Sequence, residues 1–376
     1  MDRNFQFCAL FSLMIFAISG CNQEEVTPGR RFTNLEEEVD FIADQYLKVG
    51  LMIGIIDNQQ VKHVLSYGSK SLDTEEPPDA NTVFDIGSTT KTFTATLLVD
   101  RYLTGNFTDD TVSHYLPSDQ VTLPAWNGEE ITFIEVATHT SGLPRTPHEY
   151  GSTFPRPPGF DERNPYSLYT TEDVYEYLTH YCQLKFKPGT WWAYSNTGYG
   201  LLGHIIGLVD NSSYETVLSR DIFQALGMTN SSLFLTEDQI KNFAQGYDTH
   251  LNETPFYTAN DIFQGAGFIK SSLKDLFIYL EANMGLQNTS LRNAMDLAHE
   301  PQMHQGSMGD QGLAWYILEL DDGQTVIYSG GDTNGHSTYL GFNKSNSTGV
   351  IILSNYAMHG SQLTMGAEVM QAIIQY

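Results

Sequence analysis

The sequence predicts an α/β (α+β) fold in which both chain ends form one antiparallel β-sheet, flanked by helices, with a mostly helical region inserted between those ends. Three observations carry that expectation. Short apolar runs bounded by turn residues cluster near the start, at Leu51 to Ile56 and Val61 to Tyr67, and again near the end, between Ala314 and Ser354. Between them, from about Ser88 to Phe263, apolar residues recur at helical spacing and are joined by Pro/Gly-rich loops, the longest from Pro144 to Pro165. Finally, 376 residues that are 41% hydrophobic, with 21 Phe and 21 Tyr, suffice for a large core and exclude disorder or a small disulfide scaffold.

Taken in order, residues 1–20 differ from all that follow. Arg3 precedes an apolar run from Phe5 to Ile18, about 14 residues and too short to cross a bilayer as a helix, which ends in small residues as a secretory signal does. The tetrapeptide Ile18-Ser19-Gly20-Cys21 resembles the bacterial lipobox. That resemblance implies cleavage before Cys21, lipidation of its sulfur, and an exported bacterial lipoprotein held on the periplasmic or cell-surface side of a membrane. Residues 21–34 read as a tether and 35–376 as the folded domain, its α/β part about 35–87 and 264–376 and its helical part about 88–263.

Within that domain, Leu35 to Val49 has helical spacing with an acidic first half. Asp57-Asn58-Gln59-Gln60 joins the first two apolar runs into a hairpin. Ala314 to Leu320, Val326 to Ser329, Ser337 to Phe342 and Val350 to Ser354 read as strands, and an amphipathic helix closes the chain from about Ser361 to Ile374.

Charge and cysteine content narrow the function. Nineteen basic residues against 45 acidic ones, a net charge of −26, would repel a phosphate backbone, so no nucleic-acid partner is expected. Of three cysteines, Cys8 lies in the signal and Cys21 at the anchor, which leaves Cys182 as a buried structural thiol. There is no His-Glu-x-x-His and no Cys/His cluster with zinc spacing, so neither metal nor cofactor is expected.

The chemistry begins at Ser88-Thr89-Thr90-Lys91, just ahead of a helical run to Tyr102. A serine and a lysine three residues on share one helix face, so the amine reaches the hydroxyl and eases its deprotonation. A serine in a first helical turn also presents its backbone N–H at the positive end of the helix dipole, one half of an oxyanion hole. Spacing alone decides nothing, because roughly 0.7 such Ser-x-x-Lys matches are expected by chance in this composition. A second one stands at Ser271-Ser272-Leu273-Lys274.

Longer phrases decide more: Thr82-Val83-Phe84-Asp85-Ile86-Gly87-Ser88, Thr138-His139-Thr140-Ser141-Gly142-Leu143-Pro144, Pro188-Gly189-Thr190, Tyr194-Ser195-Asn196-Thr197-Gly198-Tyr199, Leu226-Gly227-Met228 and Ala266-Gly267. In this order they resemble the serine β-lactamase and penicillin-binding protein superfamily, in its class C-like branch of β-lactamases, D-alanyl-D-alanine carboxypeptidases, D-aminopeptidases and related esterases. The resemblance runs from about Val49 to the C-terminus. It implies that Ser88 is acylated, that Lys91 is its proton partner, that Tyr194 is a phenolate-like base and later acid, and that Asn196 orients Lys91 and the substrate. A small molecule or peptide with an ester, amide or D-amino-acid peptide bond would be hydrolysed through an acyl-enzyme. The Gly-x-Ser-x-Gly elbow of α/β-hydrolases is absent.

One departure stands out. Where the family carries Lys-Thr-Gly or His-x-Gly, this chain has Tyr328-Ser329-Gly330-Gly331. Gly331 keeps an N–H for the second half of the oxyanion hole, Tyr328, Ser329 and Gly330 are expected to line the substrate, and His336 is the candidate replacement donor. Loss of the cation at Tyr328 predicts that neutral substrates outrun anionic ones, with His336 and Arg292 as the first alternative cations. It also supports a competing reading, a non-catalytic cell-envelope binding or scaffold lipoprotein that kept the fold.

Overall fold

The computed structural model describes residues 32, 34–305, 309–320 and 323–375; the signal segment, Cys21 and most of the tether lie outside them. Helix α1 (Leu35–Tyr46) starts where Asn34 caps it, its side chain accepting from the Glu37 N–H at 3.0 Å, and three glutamates in the first turn complement the helix dipole. Strands β1 (Gly50–Ile56) and β2 (Lys62–Gly68) form the expected hairpin, closed by Asp57, whose Oδ1 accepts from the N–H groups of Gln59 (2.9 Å) and Val61 (2.8 Å).

The main sheet has eight strands in the order β2-β1-β12-β11-β10-β9-β8-β7. Its C-terminal members are β7 (Met303–His304), β8 (Asp310–Gln311), β9 (Tyr316–Glu319), β10 (Thr325–Asp332), β11 (Ser337–Asn343) and β12 (Thr348–Ser354). Every pairing is antiparallel, and β1 lies against β12 with Leu51 opposite Ser354, so the two chain ends are joined inside one sheet. Two-stranded pieces lie outside it: β3 (Val83–Asp85) with β6 (Lys270–Ser272), and β4 (Gly246–Tyr247) with β5 (Glu253–Thr254).

Strand alternation assigns the two sheet faces. Leu51, Ile53, Ile55, Val350 and Ile352 join a cluster with α1 and the last helix, while Met52, Ile56, Ile351 and Leu353 join the larger core with the helical region. Three further helices bear on the site: α2 (Thr90–Leu103), α3 (Asn196–Val209) and α4 (Leu273–Met284); the last, α5 (Ser361–Gln375), covers the outer sheet face with α1. Helix α2 is buried almost all round, as suits a helix in the middle of a large core. Among the described residues no helix is long and apolar enough to cross a membrane.

Candidate active site

Ser88 lies in a single 3₁₀ turn, Gly87–Thr89, between β3 and α2. Gly87 has φ 49°, and a Cβ there would come within 2.8 Å of the Asp332 carbonyl, so only glycine makes this turn. The turn leaves Ser88 partly exposed and places Lys91 one turn on, 3% exposed.

Lys91 Nζ lies 3.2 Å from Ser88 Oγ, 2.8 Å from Asn196 Oδ1 and against the Ala266 carbonyl. The Tyr194 hydroxyl lies 2.6 Å from Ser88 Oγ. Asn196, the first residue of α3, donates from Nδ2 to the Tyr166 hydroxyl at 2.6 Å, which fixes its amide with Oδ1 toward Lys91. Ser195 caps α3, its Oγ accepting from Gly198 N–H at 2.9 Å and donating to the Pro144 carbonyl at 2.8 Å. The backbone N–H groups of Asn196 and Thr197 both donate to the Arg145 carbonyl, and Ser195 N–H donates to His139 Nδ1 at 3.1 Å. The loop before Arg145 is thereby zipped to the segment that carries Tyr194 and Asn196. His139 adds a ring contact with Tyr194 at 4.4 Å.

Electrostatics divide the two titratable neighbours of Ser88. Burial first, and the nearby positive charge of Arg145 second, hold the Lys91 amine well below the usual lysine range. Burial pushes the Tyr194 phenol up to about 12, against the opposing pull of Arg145 and of the Ser88 hydrogen bond. The resemblance implied a phenolate-like base at Tyr194; with that phenol pushed up and the Lys91 amine pushed down by burial, the amine is the one of the two that gives up its proton more readily. His139, buried beside Lys91 and Arg145, is likewise held well below its usual range.

Gly331 packs directly on the Ser88 turn: a Cβ there would lie 2.0 Å from the Ile86 carbonyl and 2.9 Å from Ser88 N. Strand β9 pairs β10 only from Thr325 to Tyr328, so Ser329 to Asp332 have β11 on one side and no strand on the other. Thr333 N–H donates to the His336 carbonyl, and in that register the Gly331 peptide is turned to Thr338 of β11. The N–H on the open edge beside the Ser88 turn is therefore that of Asp332 and not, as expected from the sequence, that of Gly331. Ser329 shares the face of Ile327 and Gly331, whereas a Cβ on Gly330 would meet Leu363 of α5.

Three sequence expectations are corrected here. Tyr328 shares the α5-side face with Gly330; its ring stacks on Tyr316 (5.4 Å) and Tyr339 (6.1 Å) and packs against the α1/α5 cluster rather than lining the substrate. Burial raises its phenol to about 12. His336 is buried too: Nε2 is 3.0 Å from the Ala244 carbonyl, Nδ1 is 3.5 Å from Asp85 Oδ2, and Phe84 and Phe243 flank the ring. It serves the core behind β3, where the Lys270 and Asp85 charges also meet at 3.8 Å. Arg292 is engaged by the Ala282 carbonyl (2.7 Å) and Asp296 (3.4 Å) and offers no cation to Ser88. Cys182 is buried, its thiol pushed up to about 12 by burial.

Sequence reasoning missed Arg145, Tyr166 and the Ala266 carbonyl as functional groups. Arg145 directly follows the phrase ending at Pro144, and its guanidinium carbon lies 4.8 Å from the centre of the Tyr194 ring. A basic residue next to a motif loop was the available signal.

Comparison with known proteins agrees with this geometry. The Beta-lactamase family model matches residues 36–369. A β-lactamase of Pseudomonas fluorescens is 26% identical over 86% of this chain and 94% of its own length. Penicillin-binding protein 4* of Bacillus subtilis (strain 168) is 26% identical over 73% of this chain and 61% of its own. Among solved structures, a class C β-lactamase superposes with a TM-score of 0.76 at 23% identity, covering 94% of this chain and 98% of that one. A D-alanine carboxypeptidase from Burkholderia cenocepacia does so at 0.74 and 23%, covering 90% and 99%. The antiparallel sheet from both chain ends, the Ser88 turn and the family match together place this chain in the Beta-lactamase family of serine hydrolases.

Proposed function

We propose that the protein hydrolyses an ester, amide or D-amino-acid peptide bond, β-lactam amides included, through an acyl-enzyme on Ser88. The observation that carries this reading is the set of neighbours around Lys91 Nζ. Two of them, Asn196 Oδ1 and the Ala266 carbonyl, only accept, and the third, Ser88 Oγ, can donate. A neutral amine fits that set with two N–H groups and one lone pair, and an ammonium fits it with three N–H groups, so the serine proton can pass to Nζ with no other contact broken.

In the proposed reaction Ser88 Oγ attacks the substrate carbonyl carbon as Lys91 Nζ takes the hydroxyl proton. The backbone N–H of Ser88 and that of Asp332, which faces the edge of β10 that no strand covers, hold the negative oxygen that forms. Collapse breaks the bond to the leaving group, which receives a proton through the Tyr194 hydroxyl; Lys91 restores that proton to Tyr194. Water then attacks the acyl carbon by the same route in reverse, releasing the acid and Ser88. The names of the relatives, β-lactamases and a D-alanine carboxypeptidase, favour amides of the β-lactam and D-alanyl type.

Intact-mass analysis after treatment with a fluorophosphonate or a penicillin tests this reading. One adduct on the wild type, absent from Ser88→Ala, is the expected result. No adduct with either reagent favours the binding or scaffold alternative. We also propose that Cys21 is lipidated and anchors the exported chain to a membrane, resting on the sequence Ile18 to Cys21. A fatty-acid analogue should then label the wild type in cells and spare Cys21→Ser; equal labelling of both overturns the anchor.

A further inference from the structure

Among the described residues, Arg145 is the exposed cation stacked on the proposed machinery. Its guanidinium carbon lies 4.8 Å from the centre of the Tyr194 ring, and Lys91 Nζ lies 4.8 Å from the same centre. Its backbone is pinned: the carbonyl accepts from Asn196 N–H (3.0 Å) and Thr197 N–H (3.1 Å), and its own N–H donates to Glu149 Oε2 (2.7 Å).

Most described lysines and arginines of this acidic chain lie within 4.0 Å of a carboxylate, as with Lys62 and Glu281, Lys187 and Glu129, or Lys344 and Asp296. The Arg145 guanidinium has no such partner among the described residues. Glu149, the acid of its own loop, is taken by Lys185 at 2.9 Å and by the Arg145 backbone. In a protein of net charge −26, an uncompensated guanidinium over the ring of Tyr194 is an open position for an anion. A guanidinium over a ring face keeps its in-plane N–H fork free, and that fork matches a carboxylate in two parallel hydrogen bonds.

The strand that carries the cation in similar proteins offers none here, because Tyr328 faces α5 and His336 is buried behind β3. We propose that Arg145 is the specificity-determining cation of this site, binding a carboxylate on the substrate, so that carboxylate-bearing esters, amides or peptides are preferred to neutral ones. This reverses the preference expected from Tyr328 alone. It rests on the acyl-enzyme reading of Ser88.

Mono-p-nitrophenyl adipate and its methyl ester test the proposal, since they share a leaving group and differ in one charge. The readout is the ratio of their kcat/KM values, followed by p-nitrophenol release, because any effect of Arg145 on Tyr194 or Lys91 acts on both esters alike. In the wild type at low salt the ratio should favour the acid by about 10-fold. Arg145→Ala should lower that ratio by about 10-fold, Arg145→Lys should retain part of it, and 1 M salt should narrow it in the wild type by screening an exposed charge. A ratio that stays the same in Arg145→Ala overturns the assignment, as does a wild type that prefers the methyl ester or accepts neither. The fluorophosphonate adduct separates the two failures. If it forms on Ser88 and the ratio does not move, only the role of Arg145 falls; if it does not form, the acyl-enzyme reading falls as well.

Discussion

Two segments of this chain place a serine three residues ahead of a lysine at the start of a helix, and they differ in which of the two side chains is buried. At the first, Ser88 is partly exposed and Lys91 is 3% exposed; at the second, Ser271 is fully buried and Lys274 is exposed. Ser271 sits in β6 opposite Phe84, its Oγ 2.8 Å from Ser231 Oγ, and Lys274 points away from the core on the first turn of α4. The same spacing yields a reactive pair only where the amine is desolvated and the hydroxyl can meet a substrate. Even the buried partners differ. Lys91 meets groups that suit a neutral amine, while Ser271 meets a hydroxyl tied into a network with Asp275.

The sharpest way to break that comparison is to delete both hydroxyls separately. Ser88→Ala should remove the acyl-enzyme and lower kcat/KM on any accepted substrate by about 10³-fold or more, because the nucleophile acts as a unit with its proton partners. Ser271→Ala should leave kcat/KM within about 3-fold, since it touches neither Lys91 nor Tyr194. Reversed results would move the nucleophile to the second segment.

The next test addresses the buried amine. Lys91→Met replaces it by an apolar chain of similar length and should lower kcat/KM by about 10²- to 10⁴-fold, the range of a lost general base. The pH dependence follows from the directions of the shifts. Lys91 is active when neutral, so wild-type kcat/KM should rise with pH through its depressed folded pKa, below the ordinary lysine value of about 10.4. Tyr194, pushed up to about 12, should add no falling limb below that pH. Stability has the same sign: between the two pKa values the unfolded lysine holds a proton that the folded one does not, so lowering pH through that window weakens the fold. Lys91→Met should therefore flatten both profiles. A kcat/KM that instead falls as pH rises through neutrality would assign the base to a Tyr194 phenolate held by a protonated Lys91.

How much of this was legible beforehand follows from range. The hairpin, the four later strands and the closing helix were readable because side-chain alternation is local, and the Ser88 and Tyr194 phrases were readable as resemblance. Strand alternation also governs the third motif: successive side chains of β10 point to opposite faces, so Tyr328 and Ser329 cannot both address Ser88. The packing of Gly331 on Ile86 and Ser88 decides which of them does. For Arg145 only its place beside a motif loop was readable; its meeting with Tyr194 was not, because hydrogen bonds between two loops distant in sequence make it. The very short β7 and β8, two residues each, carry no pattern to read.

The smallest expected effect refines what the second serine does. Ser231 Oγ lies 2.8 Å from Asp275 Oδ2 as well as 2.8 Å from Ser271 Oγ, and Asn230 N–H donates to the same carboxylate oxygen at 2.7 Å. Removing Ser271 Oγ costs one neutral hydrogen bond, about 0.5–1.5 kcal/mol of unfolding free energy, because Ser231 still donates to Asp275. Removing Ser231 Oγ takes a donor from a buried carboxyl whose pKa burial already raises, and a hydrogen bond to a charged group is worth about 1.5–3 kcal/mol. Denaturant midpoints should therefore fall further in Ser231→Ala than in Ser271→Ala, with kcat/KM little changed in either. The opposite order would mean that Ser271, not Ser231, satisfies Asp275, and that the second serine-lysine pair holds the start of α4 more tightly than its hydrogen bonds imply.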